Sequence, residues 1–205
     1  MTNHSKPTRA TGTQVRNRVD IIGGIFRHRQ IRFPALEGLR PTPSRVRETL
    51  FNWLGQTLHE RVCLDLFSGS GALGFEAASR GATKVSMVES GKPAFLALKE
   101  NKRTLDAAAC ELHFGDAFEF LKANNTKFDV AFLDPPFSSD RLSKVLPLIR
   151  SHMAEGGIVY IESKLPLESV LTSEELKSWC VLKKSKAGVV HFGLISIANA
   201  AKGIS

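Results

Sequence analysis

The sequence is poor in residues that staple or chelate. It has three cysteines in 205 residues. Cys63, Cys110 and Cys180 are an odd number, set far apart, with no C-x-x-C. That pattern excludes a disulfide scaffold and a zinc ribbon and fits a reducing cytoplasm. Each cysteine lies in an apolar or helix-edge setting and reads as a small buried hydrophobe. There is no His/Cys cluster, so no metal site is expected. No run of about 18 apolar residues occurs, which excludes a membrane-spanning helix. Residues 1–18, MTNHSKPTRATGTQVRNR, lack an apolar stretch and do not read as a secretory signal. They are polar with few anchors, and are expected to be disordered until bound. Internal repeats and low-complexity segments are absent too.

Net charge is also missing from most of the chain. Residues 1–50 hold ten Lys/Arg against three acids, which is +7 of the total +8. A near-neutral body with a basic N-terminal part suggests an anionic partner, nucleic acid first, touched on one side. The apolar content of 42% is enough for a full core, and the length suits one domain with an appendage. Three zones follow: a tail over 1–18, a basic module over 19–58, and a larger domain over 59–205.

In the basic module, VDIIGGIFRHRQIRF reads as two β-prone runs. Ile25, Arg27, Arg29 and Ile31 would share one face, with Gly23-Gly24 as a turn or bulge. LRPTPSRVRETLFNWLG reads as a loop and a helix. Thr42 is the expected N-cap, Pro43 the first helical residue, and Gly55 the stop. Val46, Leu50, Trp53 and Leu54 form the apolar stripe, with Arg45 and Arg47 off it. Beyond Arg61 strands and helices alternate. VCLDLF, KVSMVES, CELHFG, FDVAFLD and GGIVYIES are the strands. ALGFEAASRG, KPAFLALKENKRTL, DAFEFLKAN and DRLSKVLPLIRSHM are the helices, the last bent at Pro147. SEELKSW is a further helix. CVLKKSKAGVVHFGLISIA is a strand pair turning near Ala187-Gly188. Alternation of this kind gives a mostly parallel sheet covered on both faces. The closing hairpin adds at least one antiparallel strand.

The first strand runs into LDLFSGSGALG. Gly69, Gly71 and Gly74 make a G-x-G-x-x-G between a strand and a helix, and Glu89 closes the next strand. Such a loop offers backbone N–H groups to a ligand, and the acid can accept from ribose hydroxyls. The loop alone does not separate a nicotinamide cofactor from another adenosine cofactor. Asp65, inside the first strand, does: it would repel a pyrophosphate and attract an ammonium or sulfonium, and S-adenosylmethionine carries both. Asp116, at the start of the third helix, can cap that helix and accept from an adenine amine. The fourth strand ends in Asp134-Pro135-Pro136-Phe137. Ligands bind beyond the carboxyl ends of parallel strands where the strand order reverses, so this turn and the glycine loop should flank one site.

These motifs resemble class I S-adenosylmethionine-dependent methyltransferases, a Rossmann-like α/β fold, and among them enzymes that methylate exocyclic base amines. IIGGIFRHRQIRF, LRPTPSRVRETLFNWL, CLDLFSGSGALGFEAASRGA and FLDPPF together resemble the RsmD family, over about residues 19 to 164. The resemblance implies a seven-stranded mostly parallel sheet with a C-terminal antiparallel hairpin and a small N-terminal hairpin-and-helix extension. It implies methyl transfer to N2 of a guanine in 16S rRNA of the small ribosomal subunit. Its cofactor site falls on Asp65, Phe67, Ser68, Gly69, Ser70, Gly71, Glu89, Asp116 and Ala117, and its reaction motif on Asp134, Pro135, Pro136 and Phe137. The chain departs from the family at Pro43-Ser44, Val189 and Phe192.

On this reading Asp134, with an ordinary pKa of about 3.9, is an ionised acceptor for the amine. The Pro135 carbonyl is a second acceptor, and Phe137 stacks the extruded base for about 1–3 kcal/mol. Arg27, Arg29, Arg32, Arg40, Thr42, Arg45 and Arg47 are the expected RNA contacts. A cytoplasmic monomer acting on a subunit intermediate, away from any membrane, is expected. The alternatives are an adenine-N6 or cytosine-N4 amino-methyltransferase, an NAD-dependent oxidoreductase, and a non-catalytic RNA-binding module. The first shares the Pro-Pro motif, but the chain lacks a separate target-recognition segment.

Overall fold

A computed structural model describes residues 16–36, 39–136, 140–171 and 178–198. The N-terminal part comprises β1 (Arg16–Asp20), β2 (Gln30–Pro34) and α1 (Ser44–Leu54). The alternating part runs β3 (Val62–Asp65), α2 (Ala72–Ser79), β4 (Lys84–Glu89), α3 (Lys92–Leu105), β5 (Cys110–Phe114), α4 (Ala117–Ala123), β6 (Phe128–Leu133), α5 (Arg141–Ile149) and β7 (Met153–Ser163). A short α6 (Leu167–Val170) precedes the hairpin β8 (Trp179–Ala187) and β9 (Val190–Ile197). The seven-stranded sheet has the order β5-β4-β3-β6-β7-β9-β8. β3 pairs in parallel with β4 and β6, and β6 with β7, while β9 is antiparallel to both β7 and β8. The order reverses between β3 and β6, so the carboxyl ends of these two strands face a natural crevice.

Period-two alternation places the core on both faces of the sheet. Cys63, Val130, Phe132 and Tyr160 pack with α1, α2 and α3. Leu64, Ala131, Leu133, Val159 and Ile161 pack with α4 and α5. Burial holds the Cys63 and Cys110 thiols up at about 12. Cys180 is exposed, contrary to the sequence reading. It lies on β8, the edge strand of the sheet. The helix expected over SEELKSW lies largely outside the described residues, as does the chain before Arg16. β1 takes in Arg16 to Arg18, which composition had assigned to the tail.

The N-terminal hairpin differs from its sequence reading. Residues 25–28 form a turn, not a strand, and β2 begins only at Gln30. The reason is α2, which presents buried acceptors to this segment. Glu76 accepts from the Ile22 and Gly23 N–H groups at 2.9 and 2.8 Å. The Ser79 hydroxyl accepts from the Phe26 N–H at 2.8 Å, and the Ser79 carbonyl from the Ile25 N–H at 2.8 Å. Backbone donors satisfied this way have no need of a strand partner. Gly24, with φ of +74°, lies so close that an added Cβ would stand 1.8 Å from the Ser79 oxygen. Further along, the Arg32 N–H and carbonyl pair with the Asn101 amide of α3 at 3.0 and 2.8 Å.

Arg47 is the anchor of α1, and here too the structure corrects the sequence reading. It is 0% exposed and ion-paired at 3.3 Å with Glu76, also 0% exposed, so it does not reach RNA. Glu76 also receives the Arg80 Nε–H at 2.8 Å. Burial pulls the Arg47 guanidinium below its ordinary range, and Glu76 opposes that pull. α1 ends at Gly55 as expected, in the left-handed conformation. Its start differs: Pro43 stands before the first helical residue, and no side chain caps it. At its other end Trp53 stacks on Phe192, with centroids 5.5 Å apart, which seats α1 on the C-terminal hairpin.

Candidate active site

The glycine loop leaves β3 beside β6, where the Leu66 N–H donates to the Phe132 carbonyl at 3.2 Å. Ser68 holds the loop closed. Its N–H donates to Val88 at 2.9 Å and its hydroxyl to the Asp65 carbonyl at 2.9 Å. Gly71 starts α2 with φ of +82°, and a Cβ there would lie 2.6 Å from Leu98. A side chain would be strained in its backbone and would also push into the core, so glycine is required here. Ser70 is buried beneath the turn, and Phe67 is half-buried.

Asp65 is 3% exposed, and its Oδ2 accepts from the Gly74 N–H at 3.0 Å. Burial pushes its carboxyl up to about 7; Glu89 adds to this, and the Gly74 N–H works against it. A buried acid in this condition gains most from a positive ligand. Glu89 ties two loops together, accepting from the Gly69 N–H at 2.8 Å and from the Gly91 N–H at 2.5 Å. A carboxylate has about four lone-pair positions, so acceptor capacity remains for ribose hydroxyls. Asp116 caps α4 through the Phe118 N–H at 2.8 Å and pairs with Arg141 at 2.8 Å. Burial raises its carboxyl, but Arg141 and the Phe118 N–H outweigh that and leave it below the ordinary range. Ala117 is buried behind it. Acceptors set around a glycine loop, with a buried acid at its base, fit an adenosine cofactor bearing positive charge.

Asp134 follows β6 directly, with Pro135 buried and Pro136 exposed. Phe137 lies outside the described residues. Asp134 Oδ2 receives the Thr42 hydroxyl at 3.4 Å. Burial, then Glu162, then Asp65 push the Asp134 carboxyl well above the usual carboxylate range. A positive ligand at this site would oppose that push. The glycine loop and the Asp-Pro-Pro turn stand on the two strands that flank the reversal of strand order. A family model described as "Conserved hypothetical protein 95" matches residues 19–196. The chain belongs to this family, the RsmD family.

Relatives of similar length accompany that match. "Ribosomal RNA small subunit methyltransferase D" of Haemophilus influenzae is 39% identical over 182 residues, covering 86% of this chain and 92% of the relative. The protein of the same name from Escherichia coli is 36% identical over 191 residues, covering 92% and 93%. The solved structure of "putative methyltransferase yhhF" from Escherichia coli has a TM-score of 0.76 at 35% identity, covering 88% of this chain and 98% of that one. The oxidoreductase, adenine or cytosine methylation, and binding-module alternatives find no support among these relatives.

In this RsmD-family chain, Arg27, Arg32, Arg40 and Arg45 are exposed, as an RNA-facing role requires. Arg29 is exposed too, but its guanidinium reaches the carbonyls of Thr104 and Leu105 at the end of α3. Thr42 is buried, with its hydroxyl on Asp134, and so belongs to the reaction site and not to the RNA surface. Sequence reasoning missed Glu162, which is 3% exposed and receives the Tyr160 hydroxyl at 2.7 Å. The signal was available: an acid at the carboxyl end of the apolar strand IVYIES, on the same face as Tyr160. Arg141, the partner of Asp116, gave no local signal. Among the described residues, no group of His, Cys, Asp or Glu is arranged to hold a metal ion, and no helix is long and apolar enough to cross a membrane.

Proposed function

We propose that this protein transfers a methyl group from S-adenosylmethionine to the exocyclic N2 amine of a guanine in 16S rRNA of the small ribosomal subunit. The observation that carries this reading is the pairing of the glycine loop after β3 with the Asp134-Pro135-Pro136 turn after β6, across the point where strand order reverses. Membership of the RsmD family supports the choice of substrate. When bound, S-adenosylmethionine supplies a methyl group activated on a positive sulfur.

The chain's own part is binding, positioning and proton handling. Asp65 faces the positive charge, and Glu89 takes the ribose hydroxyls. Asp116 serves the adenine end while it caps α4. A base amine is a weak nucleophile because its lone pair is shared with the ring. Asp134 and the Pro135 carbonyl each accept one N–H of the amine, which frees the lone pair and aims it. Holding that geometry is itself a large part of catalysis. Afterwards Asp134 takes the surplus proton. Phe137 stacks the extruded guanine, offsetting a flipping cost of a few kcal/mol. Arg27, Arg32, Arg40 and Arg45 meet phosphates, which supply affinity without sequence choice. The protein acts as a monomer in the cytoplasm on an assembling subunit.

The test is incubation with labelled cofactor and unmethylated small subunits, followed by mapping of the modified base. Label at a guanine N2 is expected, and label only on adenine or cytosine would overturn the reading. Asp134→Ala should bind S-adenosylhomocysteine normally and lose about 10²–10⁴ in methylation rate. Turnover at the wild-type rate would remove Asp134 from the mechanism.

A further inference from the structure

The neighbouring ends of β3, β6 and β7 bring Asp65, Asp134 and Glu162 to one end of the sheet, with Asp65 and Glu162 buried and Asp134 half-buried. The charges acting on these three are other acids: Glu162 and Asp65 on Asp134, and Glu89 on Asp65. Among the described residues none of the three is ion-paired with a lysine or arginine. Their hydrogen-bond donors are neutral. Gly74 N–H serves Asp65, the Tyr160 hydroxyl serves Glu162 at 2.7 Å, and the Thr42 hydroxyl lies 3.4 Å from Asp134. Three neighbouring carboxylates, two buried and one half-buried, without a cation do not all stay ionised at neutral pH.

Thr42 is placed deliberately. The Arg47 Nε–H donates to the Thr42 carbonyl at 3.1 Å, and Arg47 is held in turn by Glu76 of α2. The N-terminal extension thus forms one wall of the reaction site, through a chain of contacts running from α2 to Asp134. Leu133 of β6 pairs with Ile161 of β7, so Glu162 is the neighbour of Asp134 on the next strand, beside the Thr42 hydroxyl that reaches Asp134.

We propose that Asp134 and Glu162 share one proton across the Thr42 hydroxyl, backed by Tyr160, and that cofactor binding frees Asp134 of it. This rests on the methyltransferase reading above. Glu162, Thr42 and Tyr160 are positioning residues, acting through Asp134. At rest the pair carries one proton and one negative charge. The proton sits on Asp134, because Glu162 already accepts the Tyr160 O–H. When a positive ligand occupies the site, this proton leaves to solvent and Asp134 can accept from the substrate amine. The proton shed by the methylated amine then returns to Asp134, which restores the resting charge. The groups facing the pair are Asp65 from β3, Tyr160 from β7 and Thr42 from the loop before α1, with Glu89 and Arg47 one contact further out.

The test is calorimetry of S-adenosylmethionine and S-adenosylhomocysteine binding to the full chain, in buffers of differing ionisation enthalpy between pH 6 and 8. Wild type is expected to release a sizeable fraction of a proton, more with the sulfonium ligand, and Glu162→Gln clearly less. Equal release from wild type and Glu162→Gln at every pH overturns the proposal. The pH profile of single-turnover methylation gives two opposite signs. Glu162→Gln should move the acidic limb down by roughly one pH unit or more. Thr42→Val should move it up, and Thr42→Ser should return it to the wild-type position. Limbs that coincide in all four proteins also overturn the proposal. A wild-type protein that methylates no guanine sinks the proposed function alone, because the calorimetry still decides the proton count.

Discussion

Replacing Asp65 by asparagine should make the protein more stable at pH 8 while weakening cofactor binding. The folded carboxyl titrates at about 7 against an unfolded value of 3.8, because burial disfavours its charge. The folded state therefore prefers the neutral acid. The stability that acid contributes is complete below pH 3.8 and is lost as pH rises through 7. A difference of about three pH units, at about 1.4 kcal/mol each, is on the order of 4 kcal/mol. At pH 5 about a third of that has been lost, and at pH 8 all of it. Asparagine keeps an acceptor for the Gly74 N–H and has no charge to lose. The stability of Asp65→Asn relative to wild type should then rise by ~2–3 kcal/mol between pH 5 and pH 8. Urea unfolding followed by circular dichroism at the two pH values measures this. A difference that does not change with pH would show that Asp65 is not held neutral by burial, and the argument for a positive ligand would lose its basis. Affinity for S-adenosylmethionine should fall in the same variant by tenfold or more, about 1.4 kcal/mol.

Glu76→Gln leaves Arg47 buried without its counter-charge and weakens the contacts to Ile22, Gly23 and Arg80. Loss of about 3–5 kcal/mol is expected in chemical denaturation, with faster proteolysis of the N-terminal extension than of the sheet. Gly24→Ala places a methyl group against the Ser79 carbonyl at a positive φ; a lower melting temperature and a displaced extension should follow, visible by limited proteolysis. Charge removal at Arg27, Arg32, Arg40 and Arg45 should weaken RNA binding for any sequence. It should also flatten the salt dependence by roughly 0.7–0.9 per lost phosphate contact, and an unchanged slope in a filter-binding titration would exclude these side chains from the interface.

Much of the fold was legible because its signals are local. The α3 helix spans Lys92–Leu105, the same residues its apolar spacing and first-turn proline mark out. The stop of α1 at Gly55, the strand–helix alternation and the glycine loop are equally short-range. The Asp-Pro-Pro turn at the end of β6 depends on a handful of neighbouring residues. The hairpin before α1 was misread for the opposite reason. Its backbone donors answer to Glu76 and Ser79, more than 50 positions away, and no alternation within the segment reports on them.

The same division runs through the site. Composition and motif spacing determined by themselves that the chain would build a mostly parallel sheet with a glycine loop after its first strand, an Asp-Pro-Pro turn after its fourth and a basic appendage. Only tertiary structure decided what each charged group does. Arg45 and Arg47 stand two residues apart on one helix, yet the first is exposed and the second is wholly enclosed, because Glu76 waits on the inner side alone. Thr42 looks like a helix cap and serves Asp134, 92 positions away. Asp134 looks like an ordinary carboxylate, yet burial first, then Glu162 and Asp65 from neighbouring strands, push its carboxyl well above the usual range. A dihedral preference is a property of a residue and its next neighbours, so sequence carries it. The charge state of a buried acid is a sum over every group within a few ångströms, and that sum exists only once the chain has folded.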